Sequence, residues 1–159
     1  WRMEFIRAPR ESGCFLCRIA GGTPDQDEDN LVIHRSGGMM LLLNRYPYNS
    51  GHLMVAPCRH VATLGELTGE ERRALLDMAC LGEQLLQAVV NPDGFNMGIN
   101  QGSAAGAGLK EHLHWHVVPR WEGDTNFMPV LGRVRVMPQA LSEMQAALRE
   151  ALSRRGGVG

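Results

Sequence analysis

Three of the chain's six histidines fall at every second position in Glu111-His112-Leu113-His114-Trp115-His116-Val117-Val118-Pro119-Arg120. A β-strand turns successive side chains to opposite faces, so as a strand this run puts His112, His114 and His116 on one face and Leu113, Trp115 and Val117 on the other. Neighbouring imidazoles then have Cβ atoms roughly 6–7 Å apart, close enough to share one ligand or one phosphate. Such a row can bind a metal, because neutral imidazole is the commonest metal ligand. It can also attack phosphorus. A neutral ring nitrogen need lose no proton before it attacks, the product is a phosphoramidate, and the neighbouring rings can donate hydrogen bonds to the phosphoryl oxygens. Histidines that only cap a polar sheet edge are the least favoured reading, since one such residue is commonly incidental and three on one face are not. Pro119 has no ladder donor and is expected to mark the strand's end.

Just before this run lies Gln101-Gly102-Ser103-Ala104-Ala105-Gly106-Ala107-Gly108. Its side chains are too small to pack, and its glycines let backbone amides approach an anion, which tips the balance toward phosphate. A second cluster starts at Cys14-x-x-Cys17, which fits a zinc half-site, a redox pair or two buried thiols. Zinc needs two more ligands, for which His60 and His112 are candidates, with Cys58 competing for the place of His60. No pattern of strand, Cys-x-x-Cys and helix surrounds the pair, which weakens the redox reading. Cys80 reads as core.

The elements that must position these residues follow from periodicity. Leu31–His34 and Met39–Asn44 read as strands joined by the turn Ser36-Gly37-Gly38, the second apolar throughout and so buried on both faces. Tyr46 to Gly51 is turn chemistry, and His52–Ala56 is a third strand, stopped by Pro57. Thr68-Gly69-Glu70-Glu71 has capping-box spacing, and Leu75, Met78, Ala79, Leu85, Leu86 and Val89 form the stripe of one long helix. Asn91-Pro92-Asp93-Gly94 breaks it. Phe95, Met97 and Ile99 alternate with polar or small residues as a fourth strand, and the histidine strand is the fifth. Gly21 to Asn30 and Trp121 to Asn126 read as polar loops, and Trp1 to Pro9 has no period. Pro138 can open a last helix with Leu141, Met144, Leu148 and Leu152 on one face, after which Arg154 to Gly159 should fray as a flexible tail. Residues 1–153 are thus expected to form a single domain.

At 159 residues and 44% hydrophobic, the chain can build one core of its own. Its 16 basic and 17 acidic residues nearly cancel, which argues against nucleic-acid or anionic-membrane partners. No apolar run reaches the ~20 residues of a membrane span, and Trp1-Arg2-Met3-Glu4 lacks a signal region. A soluble, cytoplasmic protein is expected, and a start at Trp1 rather than Met implies residues upstream. Four cysteines in a chain of this length do not make a disulfide framework.

His112-Leu113-His114-Trp115-His116-Val117-Val118 resembles the signature of the histidine-triad nucleotide hydrolases and transferases, in which histidines alternate with apolar residues. The resemblance spans about residues 1–152. Asn44 to Val55 resembles the family's segment between its early strands and Gly94 to Gly108 its glycine-rich phosphate loop, while Trp1 to Ile6, Asn44 to Asn49 and Pro119 to Phe127 look most like the bacterial diadenosine tetraphosphate phosphorylases. It implies an α+β histidine-triad fold with a five-stranded antiparallel sheet, one long helix and a C-terminal helix, usually as a homodimer. It also implies that His114 becomes nucleotidylated, with His116 in contact with the phosphate or with the backbone that locks a tautomer. Asn44 would bind the ribose or base side, Asn100 with Gly106 to Gly108 the phosphates, and Trp121, with Asp124 and Asn126, would shape the loop after the triad. Zinc-containing relatives use residues matching Cys14, Cys17, His60 and His112, a structural site. Many members carry Ser or Thr three or four residues before the first triad histidine, where this chain has Gly108 and Leu109; Ser103 is the candidate replacement. The implied reaction is cleavage of a dinucleoside polyphosphate with inorganic phosphate as acceptor, Arg45 and Arg120 attracting the anion. The alternatives are hydrolysis of diadenosine polyphosphates or nucleoside phosphoramidates, and a nucleotide-binding module with incidental turnover.

Overall fold

The computed structural model describes residues 13–124 and 140–156. The expectations for Trp1 to Pro9, Asn126, Pro138 and residues 157–159 therefore lie outside the described residues. In chain order the elements are α1 (Phe15–Ala20), β1 (Val32–Ser36), β2 (Met39–Leu43), β3 (Leu53–Pro57), α2 (Gly69–Val90), β4 (Gly94–Ile99), β5 (Trp115–Arg120) and α3 (Leu141–Gly156). The strands form one antiparallel sheet in the order β1-β2-β3-β5-β4. The α+β class and the five antiparallel strands agree with the sequence reading.

The sheet has two different faces. Leu41, Leu43, Leu53, Val55 and Val117 point to the side covered by α2 and α3, where they join Leu75, Leu85, Leu86, Met144 and Leu148 in the main core. Met40, Leu42, Met54 and Ala56 point to the other side, against Leu16 and Ile19 of α1. Both faces of β2 are covered, so its unbroken apolar run is buried throughout. Met54 pairs with His116 across the β3–β5 ladder, and directly opposed residues share a face, so the imidazoles lie on the α1 side.

Helix α2 begins as its sequence requires. Thr68 Oγ1 accepts from the Glu71 amide at 3.1 Å and Glu71 returns the bond to the Thr68 amide at 2.8 Å, satisfying two orphan donors of the first turn. It ends at Asn91 in the left-handed region, φ 43°. Within it Gly82 lets the helix approach the sheet closely, since a Cβ there would lie 3.2 Å from Leu41. Gly51 is constrained twice: φ is +77°, and a Cβ would meet Leu86 at 2.9 Å. It is the hinge from which β3 departs.

Two local readings are refined and two corrected. The Cys-x-x-Cys pair stands at the start of a helix, Cys14 at the N-cap of α1 and Cys17 inside it. Gly21 to Asn30 contains a 3-10 turn at Pro24–Gln26. Helix α3 runs to Gly156, three residues into the stretch expected to fray. Cys80 is exposed, because it falls about 100° around the helix from buried Ala79.

Strand β5 is also shifted relative to expectation. It starts at Trp115, because neither β3 nor β4 pairs beyond that residue. His112 and His114 occupy the segment leading into it, where the Leu113 amide donates to the Val61 carbonyl at 2.7 Å. Pro119 lies within the strand opposite Phe95. Its carbonyl accepts from Asn49 Nδ2 at 3.2 Å on the side away from β4, so its missing N–H interrupts no β4–β5 bond.

Candidate functional site

Each imidazole of the triad is buried, and each has one nitrogen committed. His112 is fully buried, and its Nε2–H donates to the Pro57 carbonyl at 2.8 Å. That fixes the tautomer and turns a lone pair on Nδ1 toward the cysteines. His114 is 8% exposed and donates Nδ1–H to the backbone carbonyl of His112 at 2.9 Å, which leaves the lone pair on Nε2. Desolvation is the main cause holding His114 below the usual imidazole range, opposed by that carbonyl bond. It is therefore neutral at pH 7, the form able to attack an electrophile.

His116 acquires its tautomer through a residue the sequence analysis read only as the start of a strand. The Tyr48 amide donates to His52 Nδ1 at 3.0 Å, so that nitrogen must be an acceptor. His52 then carries its hydrogen on Nε2, which lies 2.9 Å from His116 Nδ1. His116 accepts there and keeps its own hydrogen on Nε2. The rings of His114 and His116 meet edge to face with centroids 4.9 Å apart, so a lone pair and an N–H donor stand side by side. A histidine at the start of an apolar central strand was the missed signal: it is fully buried, and only a hydrogen-bond partner makes such a placement tolerable.

The second cluster is assembled from α1, the loop after β3 and the triad approach. Cys14 Sγ lies 3.2 Å from His112 Nδ1, and Cys17 Sγ lies 3.1 Å from His60 Nδ1 and 3.4 Å from His112 Nδ1. All four donor atoms fall within 4.8 Å of one another, a set able to hold a metal ion. Tetrahedral zinc, with bonds of about 2.3 Å to sulfur and 2.0–2.1 Å to nitrogen, asks for donor separations of about 3.4–3.8 Å, and the Pro57 carbonyl supplies the outer partner that ligating histidines normally have. The residues present fit such an ion. Cys58 lies outside this set and packs against the smaller core.

The remaining candidates are placed less directly. Asn44 Oδ1 accepts from the Tyr46 amide at 2.9 Å and its Nδ2 lies 3.3 Å from His52 Nδ1. Ser103 and Gly106 bound an exposed 3-10 turn in which the Gly106 and Ala107 amides bond back to Ser103 and Gly102. Among the described residues, no hydrogen bond joins Asn44, Asn100, Ser103, Gly106, Gly108 or Trp121 to a triad imidazole. The loop does border an open groove of about 490 Å³ lined by His60, Gly102, Ser103, Lys110 and Glu111. Arg120, expected to stand open to phosphate, is gripped by both carboxylate oxygens of Asp124 at 2.6 and 2.7 Å and donates to Asn96 at 2.6 Å. Arg45 donates to the Asp29 carbonyl at 2.8 Å on the surface.

With this geometry described, comparisons with known proteins agree on the family. A family model described as HIT domain matches residues 25–123. An AP-4-A phosphorylase of Mycobacterium tuberculosis (strain ATCC 25618 / H37Rv) is 45% identical over 122 residues, 77% of this chain and 63% of that protein. The chain thus spans somewhat less than two thirds of that relative's length. Among solved structures, a Zn-bound histidine triad family protein from Mycobacterium smegmatis superposes with a TM-score of 0.73 at 25% identity, covering 92% of this chain and 98% of that one. A hypothetical histidine triad nucleotide-binding protein from Sulfolobus tokodaii, 24% identical with a TM-score of 0.70 over 89% of this chain and 93% of its own, shares the fold.

The buried neutral rings set a pH dependence. Burial first, and then His114, push His116 from 6.5 down to about 4, and His112 and His114 are lowered as well. The unfolded chain therefore takes up protons before the native one, and stability must fall as pH drops from about 6.5 toward about 4. Urea unfolding across that window should lose on the order of a few kcal/mol, and His116→Gln should flatten the slope. A flat profile in the unmodified protein would show that the rings are not held neutral.

Proposed function

The chain belongs to the HIT domain family, and on that premise we propose that it cleaves dinucleoside polyphosphates by nucleotidyl transfer through His114, with inorganic phosphate as acceptor. The observation that carries this reading is the fixed pairing of a bare Nε2 on His114 with an Nε2–H on His116, a nucleophile beside a donor. The acceptor is taken from the AP-4-A phosphorylase relative at 45% identity.

In diadenosine tetraphosphate, His114 Nε2 attacks the α-phosphorus, an N–P bond forms, and the bridging P–O bond breaks with its electron pair leaving on ATP. His116 Nε2–H stabilises the charge gathering on the phosphoryl and bridging oxygens. The ring nitrogen becomes cationic in the intermediate, and the His112 carbonyl, already bonded to Nδ1–H, faces that charge. A phosphate oxygen then attacks the same phosphorus, the N–P pair returns to Nε2, and ADP leaves. A homodimer and a cytoplasmic location belong to the same reading; among the described residues no helix is long and apolar enough to cross a membrane.

Zinc on Cys14, Cys17, His60 and His112 completes the proposal, supported by the donor geometry and by the Zn-bound relative. When bound it would supply a structural crosslink between α1, the loop after β3 and the triad approach. His112 would be held at three points: Nδ1, Nε2 and the carbonyl that grips His114.

Three measurements check these assignments. With labelled phosphate, diadenosine tetraphosphate should yield ATP and ADP labelled in the β-phosphate; unlabelled AMP plus ATP would make water the acceptor. Elemental analysis of protein purified without a metal-affinity step should find close to one zinc per chain. Cys14→Ser should lose the metal and melt several degrees lower. Metal-free protein with an unchanged melting temperature in the variant would remove zinc from the account.

A further inference from the structure

His116 works as a donor only in one tautomer, and that tautomer is dictated from outside the triad. The Tyr48 amide at 3.0 Å and Asn44 Nδ2 at 3.3 Å both face His52 Nδ1 and make it an acceptor, which makes His52 Nε2 a donor and His116 Nδ1 an acceptor. Asn44 is itself held by the Tyr46 amide of the same turn, so were the turn to shift and both donors be lost, His52 could place its hydrogen on Nδ1. Its Nε2 would then accept from His116, and His116 Nε2 would lose its hydrogen and present a lone pair to the phosphoryl oxygens. The polarity of the site thus depends on where the turn Tyr46 to Gly51 sits.

That turn is a connecting segment at the surface, where Tyr48 is 42% exposed, and such segments are the more mobile parts of a fold. The Tyr48 ring stacks on His52 with centroids 4.8 Å apart, and Asn49 ties the turn down over a long stretch of sequence. Asn49 Nδ2 donates to Asp124 Oδ2 at 2.9 Å and to the Pro119 carbonyl at 3.2 Å, while its own carbonyl accepts from the His52 amide at 3.2 Å. Asp124 is in turn fixed by the two-pronged bond from Arg120 and by the Trp121 amide at 3.1 Å. Its side chain is only 11% exposed, so these bonds are stronger than their surface equivalents. The bonds close a ring that starts and ends on β5: Arg120, Asp124, Asn49, the turn, His52 and His116.

We propose that Asn49 and Asp124 form a clamp that positions His52, and through it sets the hydrogen-bond polarity of His116. Both are positioning residues. The catalytic consequence rests on the nucleotidyl-transfer reading, whereas the effect on the rings does not.

The test uses ring-nitrogen NMR of the ligand-free protein, with 15N in the histidines, alongside steady-state turnover of diadenosine tetraphosphate. The unmodified protein should show His52 and His116 each as the single Nε2–H tautomer. Asn49→Ala leaves the Arg120–Asp124 pair in place and should give averaged tautomers at both rings, with kcat lower by about 10²-fold and KM within a few-fold. Asn49→Asp, which sets a second carboxylate against Asp124, should do more damage than Ala. Asp124→Ala should act in the same direction, and if it fails to fold the Asn49 variants decide. Ring signals unchanged in Asn49→Ala overturn the proposal even if kcat falls, because Asn49 would then act on substrate directly. Altered rings in a protein that never turns over dinucleotide would leave the clamp standing and defeat the reaction.

Discussion

A buried neutral imidazole must find a hydrogen-bond partner for at least one ring nitrogen, and the choice of nitrogen fixes what the other presents. Three such rings stand within a five-residue span here, and the structure meets the requirement differently at each. His112 gives its hydrogen to Pro57 and His114 to the His112 carbonyl, while His116 accepts from His52 and keeps its own hydrogen on Nε2. Unpaired, each buried polar group would cost on the order of 1–3 kcal/mol. Satisfied in this order, they leave three different functional ends: a lone pair facing thiols, a lone pair beside a donor, and that donor.

The sheet makes this arrangement possible by dividing labour between its faces. The side under α2 and α3 holds the main core, with Leu113, Trp115 and Val117 contributing from the same segment as the histidines. The other side carries the smaller core under α1, and the buried rings stand beside it. Because β5 is flanked by β3 and β4, His116 is held by ladders on both sides. His112 and His114 lie just beyond the ladder, where side-chain and backbone contacts to Pro57 and Val61 replace it. Catalysis by such a site would depend on rigidity borrowed from both.

Much of this was legible in the sequence because it rests on local periodicity. The alternation at 112–116, the Thr68–Glu71 cap and the apolar run of β2 each encode their own structure, and the four proposed metal ligands come together as expected. What sequence could not show was partnership across long separations. His52 meets His116 across 64 positions and Asn49 meets Asp124 across 75, pairings that only the strand order creates. Arg120 is held by Asp124 only four residues on and by Asn96 across 24 positions, partners its charge alone does not announce. The short helix at Phe15–Ala20 escaped notice because six residues carry too little period.

The proposed chemistry stands or falls on a bond between phosphorus and one ring nitrogen. Mixing the protein with diadenosine tetraphosphate in phosphate-free buffer, quenching within the first turnover under alkaline conditions that preserve an N–P bond, and mapping the adduct by peptide mass spectrometry reads it directly. Adenylyl on the peptide carrying His114, fragmented to that residue and absent in His114→Ala, is the predicted result. An adduct on His116 or elsewhere, or turnover at the normal rate in His114→Ala, would contradict it.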